Sequence, residues 1–321
     1  MKKLVFSLIS IGLLLFLCVA LIVAFFSFMI FKKATIPIDL KTKYIMIGHS
    51  HPECAYNDSL ITNFSNLSSS GESYFYAYYK AKMILKNKNN IKVAFIELTN
   101  NQVNKYMDQW IWGQTYINEK FIFYLPFIEF DDYKLLQQKN PGFLLETIPY
   151  FIKKNSFYFI TNNYNYKKLG KYSALNLDKT ELLLKKLVVD DRIDTSSSIF
   201  HIMYLKKLIS FFQSQNIEVC LIRTPQHEKY PGYCNERKYK EVIKTHFIGV
   251  TYLDLGRFPL LNSEFADLQH LNFRGAKRYS LWFNNLLMND SILYKTNKQV
   301  IIDNKIEQLK KQQCLTKNER H

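Results

Sequence analysis

In the segment Tyr44-Ile-Met-Ile-Gly-His-Ser-His51, a short apolar run ends at a glycine and three polar residues. An apolar run of this length, bounded by polar residues, is typical of a buried strand. Gly48 permits a tight turn directly after the strand. His49, Ser50 and His51 therefore follow a strand end, which is where open α/β sheets gather their functional groups.

The rest of the chain repeats this pattern of short apolar runs separated by helical periodicity. We predict four more strands, at residues 63–67, 93–98, 217–222 and 250–255. We predict helices at about residues 73–86, 199–214, 235–245 and 274–288. Strands that alternate with helices predict an α/β fold with a five-stranded parallel sheet.

The N-terminal segment carries no charged residue from residue 4 to residue 31 and has two lysines at each end. As a helix it would extend roughly 42 Å, which is enough to cross a hydrocarbon core of about 30 Å. The run is longer than the apolar region of a signal peptide and lacks a small-residue cleavage site. We therefore predict a single-pass N-terminal transmembrane helix.

The anchor occupies residues 1–33, and we divide the rest of the chain into three segments, the second of which contains an insertion. A short stem at 34–43 leads to a domain at 44–289, and a basic polar tail fills 290–321. An aromatic-rich insertion at about 103–196 interrupts the domain, either as extra helices that cover the sheet or as a cap that binds a partner. The lysines flank the anchor equally, so its orientation rests on the usual behaviour of an N-terminal signal anchor, which leaves the domain outside the cytoplasm.

The formal net charge of +16 is spread along the chain, and no RNA-binding aromatic signature is present. We therefore expect no nucleic-acid partner, and interpret the charge as a preference for anionic lipid or an envelope polymer. Four cysteines lie beyond the anchor, too few for a disulfide scaffold, and their spacing matches no zinc pattern.

Polar and ionisable residues follow every predicted strand. Ser50 follows the first strand, and Asp267 and His270 lie three positions apart after the last. A serine hydroxyl becomes nucleophilic when an imidazole takes its proton and a carboxylate orients that imidazole. The backbone N–H groups of Ser50 and Gly71 and the side chain of Asn100 are candidate donors to an oxyanion.

The order of Gly48-His49-Ser50, Gly71, Asn100 and Asp267-Leu-Gln-His270 resembles the SGNH/GDSL hydrolase superfamily over about residues 44–287. The resemblance implies a three-layer α/β/α sandwich, with Ser50 as nucleophile, His270 as general base and acid, and Asp267 as its orienting partner. Gly71 and Asn100 would contribute to the oxyanion hole. His49 occupies the place of the family's aspartate, and the third block leaves the choice between Asn100 and its neighbour Asn101 open.

The resemblance also implies a serine esterase or O-acyltransferase that acts on an acylated cell-envelope glycan or related ester, with no cofactor and no metal. Five further residues are candidates for substrate binding: His49, Arg223, His227, Trp110 and Trp112.

Two other functions are compatible with the sequence. A catalytically inactive SGNH-like module would bind a glycan or an assembly partner through its aromatic insertion. A metallophosphoesterase would use the histidines of Gly-His-Ser-His as metal ligands, although further ligands on earlier strands are missing.

Overall fold

A five-stranded parallel sheet lies at the centre of the computed structural model, which describes residues 1–86, 90–166, 169–186 and 196–318. The strands are β1 (Tyr44–Ile47), β2 (Phe64–Asn66), β3 (Val93–Glu97), β4 (Glu218–Arg223) and β5 (Thr251–Asp254). Each predicted strand is present, with ends shifted by at most a residue. The α/β class and the parallel sheet are therefore confirmed.

Helices connect the strands and fill the insertion. They are α1 (Lys2–Lys33), α2 (Ser50–Ala55), α3 (Tyr74–Leu85), α4 (Gln109–Trp112), α5 (Gln114–Tyr124), α6 (Phe130–Lys139), α7 (Phe143–Ile160), α8 (Thr180–Lys185), α9 (Ile199–Ser214), α10 (Glu236–His246), α11 (Phe273–Met288) and α12 (Lys298–Asn318).

The strand order β2-β1-β3-β4-β5 places the site of interest in the fold. The chain order reverses between β1 and β3, which are directly paired. At such a switch point the connections after the two strands diverge and leave a crevice beyond their carboxyl ends. Ser50 follows β1 at this point, and Leu98 to Asn101 follow β3.

The side chains on the two faces of the sheet belong to two separate hydrophobic clusters. On β1, Ile45 and Ile47 belong to one cluster, and Met46 between them belongs to the other. The first cluster also contains apolar residues of α3 and α9, and the second contains those of α11 and α12. Near-continuous apolar strands are expected where both faces of a parallel sheet are covered.

The N-terminal helix α1 is long and apolar enough to span a membrane. Among the described residues, only those near its C-terminal part contact it, and Phe26 and Ile30 are buried there. The stem that follows is paired, because Thr35 forms a parallel bridge with Asn165.

The aromatic-rich insertion consists mainly of helices α4 to α7, which pack into the cluster around α3. Ile111, Phe121 and Phe143 are all at most 1% exposed in that cluster. Most of its aromatic content is therefore core and cover. Residues 167–168 and 187–195 of the insertion lie outside the described residues.

The C-terminal tail is more ordered than its polar composition suggested. Helix α12 buries Ile302 and Ile306 in the second cluster, and Gln299 contacts the backbone of Asp254 on β5. The segment is thus an amphipathic helix that covers the edge of the sheet.

Candidate functional site

Ser50, His270 and Asp267 converge although they come from opposite ends of the domain. The Oγ atom of Ser50 lies 2.8 Å from Nε2 of His270. The Nδ1 atom of His270 lies 2.9 and 3.0 Å from the two carboxylate oxygens of Asp267. The arrangement has the geometry of a nucleophile, a base and a group that orients the base.

The loop before α11 is folded by the same carboxylate. Oδ1 of Asp267 accepts the backbone N–H of Gln269 at 2.7 Å and that of His270 at 2.8 Å. Asn272 then caps α11 by accepting the N–H of Arg274 at 3.0 Å, as expected of an N-cap residue. The short loop therefore holds the imidazole against the Asp267 carboxylate.

The electrostatics of this pair favour an ionised carboxylate. Burial raises the pKa of Asp267, but the hydrogen bonds from His270 and from the loop N–H groups outweigh burial and leave the pKa below its ordinary value. Asp267 is thus a carboxylate at neutral pH and holds a proton on Nδ1 of His270. That tautomer leaves Nε2 free to accept the proton of Ser50.

A second imidazole also approaches the Ser50 hydroxyl, since Nδ1 of His49 lies 3.3 Å from Oγ. His49 is buried, and burial lowers its pKa well below the ordinary value, with His51 and His270 lowering it further. A base with so low a pKa gains little by accepting a proton at neutral pH. His270, with its partner carboxylate and shorter distance, is the better base.

Glu97, the last residue of β3, lies fully buried beneath the nucleophile turn. Its carboxylate accepts the backbone N–H of His49 at 3.1 Å and contacts Nδ1 of His51 at 3.0 Å. Gly48 is required here, because a Cβ atom at this position would lie 2.7 Å from the Glu97 side chain. We did not identify Glu97 from the sequence, where the only signal was a single acid at the end of an apolar run.

His49, His51 and Glu97 could together hold a metal ion, because their ligand atoms lie within 4.8 Å of one another. The Nε2 atom of His49 has no hydrogen-bond partner among the described residues. The Glu97 carboxylate, however, is already shared by two N–H donors, which accounts for its burial. We derive no catalytic step from an ion at this position.

The loop with Gly71 lies beside the nucleophile turn, because the N–H of Ser69 donates to the Gly48 carbonyl at 3.0 Å. Gly71 has φ +68°, a conformation that strongly favours glycine. Within the described chain, the backbone N–H groups of Ser50 and Gly71 have no hydrogen-bond acceptor. Both predicted backbone donors are therefore available to an oxyanion.

Two buried lysines contact the loop that carries Gly71. Lys80 pairs with Glu72 and donates to the carbonyl of Leu67 at 2.7 Å, and Lys120 donates to the Ser69 hydroxyl at 2.9 Å. Burial lowers the pKa of Lys80 to about 8, against the opposing effect of Glu72. The loop is thus supported by an internal polar network.

Asn100, one of the predicted oxyanion donors, is engaged elsewhere. Its Nδ2 atom donates to Glu236 at 2.7 Å and to Asn235 at 3.2 Å, which uses both amide protons, and its Oδ1 atom accepts from Arg223. Asn101 accepts the Thr99 hydroxyl at 2.7 Å through Oδ1. Its amide nitrogen makes no hydrogen bond to the described residues, and the choice between Asn100 and Asn101 stays open.

Three candidates for substrate binding are also committed to other contacts. Arg223 is paired with Glu236 at 2.7 Å, and Nε2 of His227 lies 3.1 Å from Asn262. Trp112 packs edge-on against Phe200 on α9. The structure does not bring these three side chains to Ser50.

Trp110 does lie at the site. Its ring is 5.3 Å from that of His49 and stacks on Tyr116 at 5.3 Å. The Tyr116 ring in turn borders Gly71, where a Cβ atom would lie 3.1 Å from it. Trp110 and Tyr116, both half-buried, therefore form an aromatic wall between the nucleophile turn and the Gly71 loop.

A cavity of about 620 Å³ borders the loop that carries His270. Its lining includes Asp267 and Gln269 from this loop, together with Tyr106, Tyr230 and Cys234.

Among the described cysteines beyond the anchor, Cys54, Cys220 and Cys234 are free thiols.

A family model for an uncharacterised family matches residues 161–292, which include Asp267 and His270 but not Ser50. The search of curated proteins gives no match. The geometry of the site therefore carries the functional argument.

Proposed function

We propose that the protein is a membrane-anchored serine esterase or O-acyltransferase of the SGNH/GDSL type, with a three-layer α/β/α domain. The observation that carries the proposal is the hydrogen-bonded series from Ser50 through His270 to Asp267 at the switch point of the sheet. The free N–H groups of Ser50 and Gly71 support it, because an acyl-transfer site needs donors where negative charge develops.

The proposed reaction begins when Oγ of Ser50 attacks the ester carbonyl carbon while Nε2 of His270 accepts the hydroxyl proton. The carbonyl oxygen becomes an oxyanion that accepts the N–H groups of Ser50 and Gly71. The intermediate then expels the alcohol, which takes the proton back from His270, and an acyl-enzyme remains. Water or a sugar hydroxyl attacks the acyl carbon by the same steps in reverse.

The proposed substrate is an acylated glycan of the cell envelope or a related ester. The aromatic wall of Trp110 and Tyr116 offers an amphipathic surface beside the nucleophile, which suits a sugar ring. An anchor at the N-terminus would keep the domain close to the envelope, and we propose that the domain faces the extracytoplasmic side. No metal or organic cofactor is needed for this chemistry.

The test is hydrolysis of p-nitrophenyl acetate by the full-length protein in detergent. We expect Ser50→Ala and His270→Ala each to lose activity by at least about 10³-fold. Ser214→Ala, an exposed serine at the end of α9, is the matched control and should retain activity. Turnover like that of the wild type in either site variant would overturn the proposal.

A second candidate, an inactive SGNH-like binding module, is favoured by one observation. Asn100 points its amide at Glu236 and Asn235, so the site has one donor fewer than the resemblance implied. This candidate predicts that Trp110→Ala weakens binding to a glycan or partner, while Ser50→Ala has no effect on the cellular phenotype.

A further inference from the structure

The C-terminal end of α7 exposes three large apolar side chains next to the apolar helix α1. Phe157, Phe159 and Ile160 are 61%, 44% and 81% exposed. Single apolar residues on a surface are ordinary, but a group that adjoins an apolar helix forms a continuous patch.

Aromatic contacts join this patch to α1. The Phe159 ring lies 5.3 Å from that of Phe25 and 6.3 Å from that of Phe26. Phe26 is buried by the contact, whereas Phe25 remains 45% exposed. The exposed apolar surface of α1 therefore continues onto the last turn of α7.

The position of this contact along α1 coincides with the expected edge of a membrane. Every residue from Leu4 to Ile22 is exposed, and Val23 is the first that the domain covers in part. This free segment of about 19 residues is roughly 28 Å long as a helix, close to a hydrocarbon thickness of about 30 Å. The last turn of α7 thus lies at the level where the hydrocarbon ends.

Lysines lie near the last turn of α7, at the same depth as the expected edge of the hydrocarbon. Lys33 donates to Asn162 at 2.8 Å, just beyond the end of α7, and Lys86 donates to the carbonyl of Phe31. Lys32, the neighbour of Lys33, and Lys153, which lies on α7, are also exposed. Apolar side chains bordered by lysines are the composition of a surface that binds an anionic membrane interface.

We propose that the end of α7 inserts Phe157, Phe159 and Ile160 into the boundary between headgroups and acyl chains of an anionic bilayer, beside α1. The inference rests on the membrane anchor proposed above and is independent of the ester chemistry. The stem strengthens it, because Thr35 is bridged to Asn165 and so ties the chain after α1 to the chain after α7. The domain is held against the membrane at two points and cannot rotate freely about a stem.

The experiment places one additional tryptophan in the full-length protein at each of three positions. The protein is reconstituted into vesicles of phosphatidylcholine and phosphatidylglycerol, with bromine atoms near the headgroup or near the chain end. Ile160→Trp reports on the patch, and Phe16→Trp reports on the middle of α1. Ile248→Trp is the matched control, because Ile248 is 82% exposed and lies in the turn before β5. The three native tryptophans are common to all variants and are subtracted.

We expect the emission of Ile160→Trp to be quenched by bromine near the headgroup and that of Phe16→Trp by bromine near the chain end, with Ile248→Trp unaffected. Phe157→Trp serves in place of Ile160→Trp if the latter fails to fold. Quenching of Phe16→Trp with none at the patch would overturn the docking and leave the anchor standing. Absence of quenching at both positions would overturn both, and neither result depends on activity.

Discussion

The Ser50 hydroxyl lies 2.8 Å from Nε2 of His270, across a separation of 220 positions in the sequence. The contact depends on two local structures: the turn after β1 that Glu97 supports, and the loop before α11 that Asp267 folds. A single substitution can perturb either the turn or the loop without changing the other.

Asp267→Asn tests the orientation of the imidazole. An asparagine can still accept the loop N–H groups through Oδ1, but it can present its NH₂ group to Nδ1 of His270 and so favour the wrong tautomer. We expect ester hydrolysis to fall by about 10²- to 10⁴-fold with little change in melting temperature. Asp131→Asn, an exposed carboxylate on α6, is the control, and an unchanged rate in Asp267→Asn would contradict the assigned role.

Gly71→Ala tests the second backbone donor. An alanine at φ +68° costs about 1–2 kcal/mol, and its Cβ would press on the Tyr116 ring. We expect a lower melting temperature together with a fall in kcat, because the N–H group is displaced. Gly142→Ala is the matched control, since its Cβ would have nothing within 4 Å. A loss of stability with kcat intact would exclude Gly71 from the oxyanion hole.

Glu97→Gln tests the support beneath the nucleophile. A glutamine can turn its NH₂ group toward the His49 N–H or the His51 ring, where an acceptor is needed. We expect the free energy of unfolding to fall by about 1–3 kcal/mol, measured by thermal or urea unfolding in detergent. Glu241→Gln, at an exposed pair on α10, should change it by less than about 0.5 kcal/mol. Equal effects of the two substitutions would argue against the buried role.

The pair of Glu236 and Arg223 predicts how stability depends on pH. Burial opposes ionisation, but hydrogen bonds from Arg223 and Asn100 outweigh it and lower the pKa of Glu236 to about 2. Since the folded-state pKa lies below the unfolded value of about 4.3, the contribution is complete above that value and is lost as pH falls toward 2.

The melting temperature of the wild type should therefore fall more steeply between about pH 4 and 2 than that of Glu236→Gln. Circular dichroism in detergent at a series of pH values measures both. Parallel curves for the two proteins would show that the pair contributes nothing to the loss of stability at acid pH.

The sequence predicted the sheet and the pairing of Asp267 with His270, because both depend on local signals. Apolar runs mark the strands, and Asp267 and His270 are close enough in sequence for one loop to pair them. The direction of the Asn100 amide depends instead on Arg223 and Glu236, more than 120 positions away, and no local pattern reports it. The contact of α7 with α1 could not be predicted from the sequence either, because the aromatic residues of the insertion form the same sequence pattern whether they face the core or the membrane.

Covalent labelling of the full-length protein with a fluorophosphonate, followed by peptide mass spectrometry, tests the proposed role of Ser50 as the nucleophile. This role predicts a phosphonyl adduct on Ser50 in the wild type, a strongly reduced rate of labelling in His270→Ala, and no adduct in Ser50→Ala. A wild-type protein that carries no adduct at Ser50, or labels equally fast without His270, would contradict it.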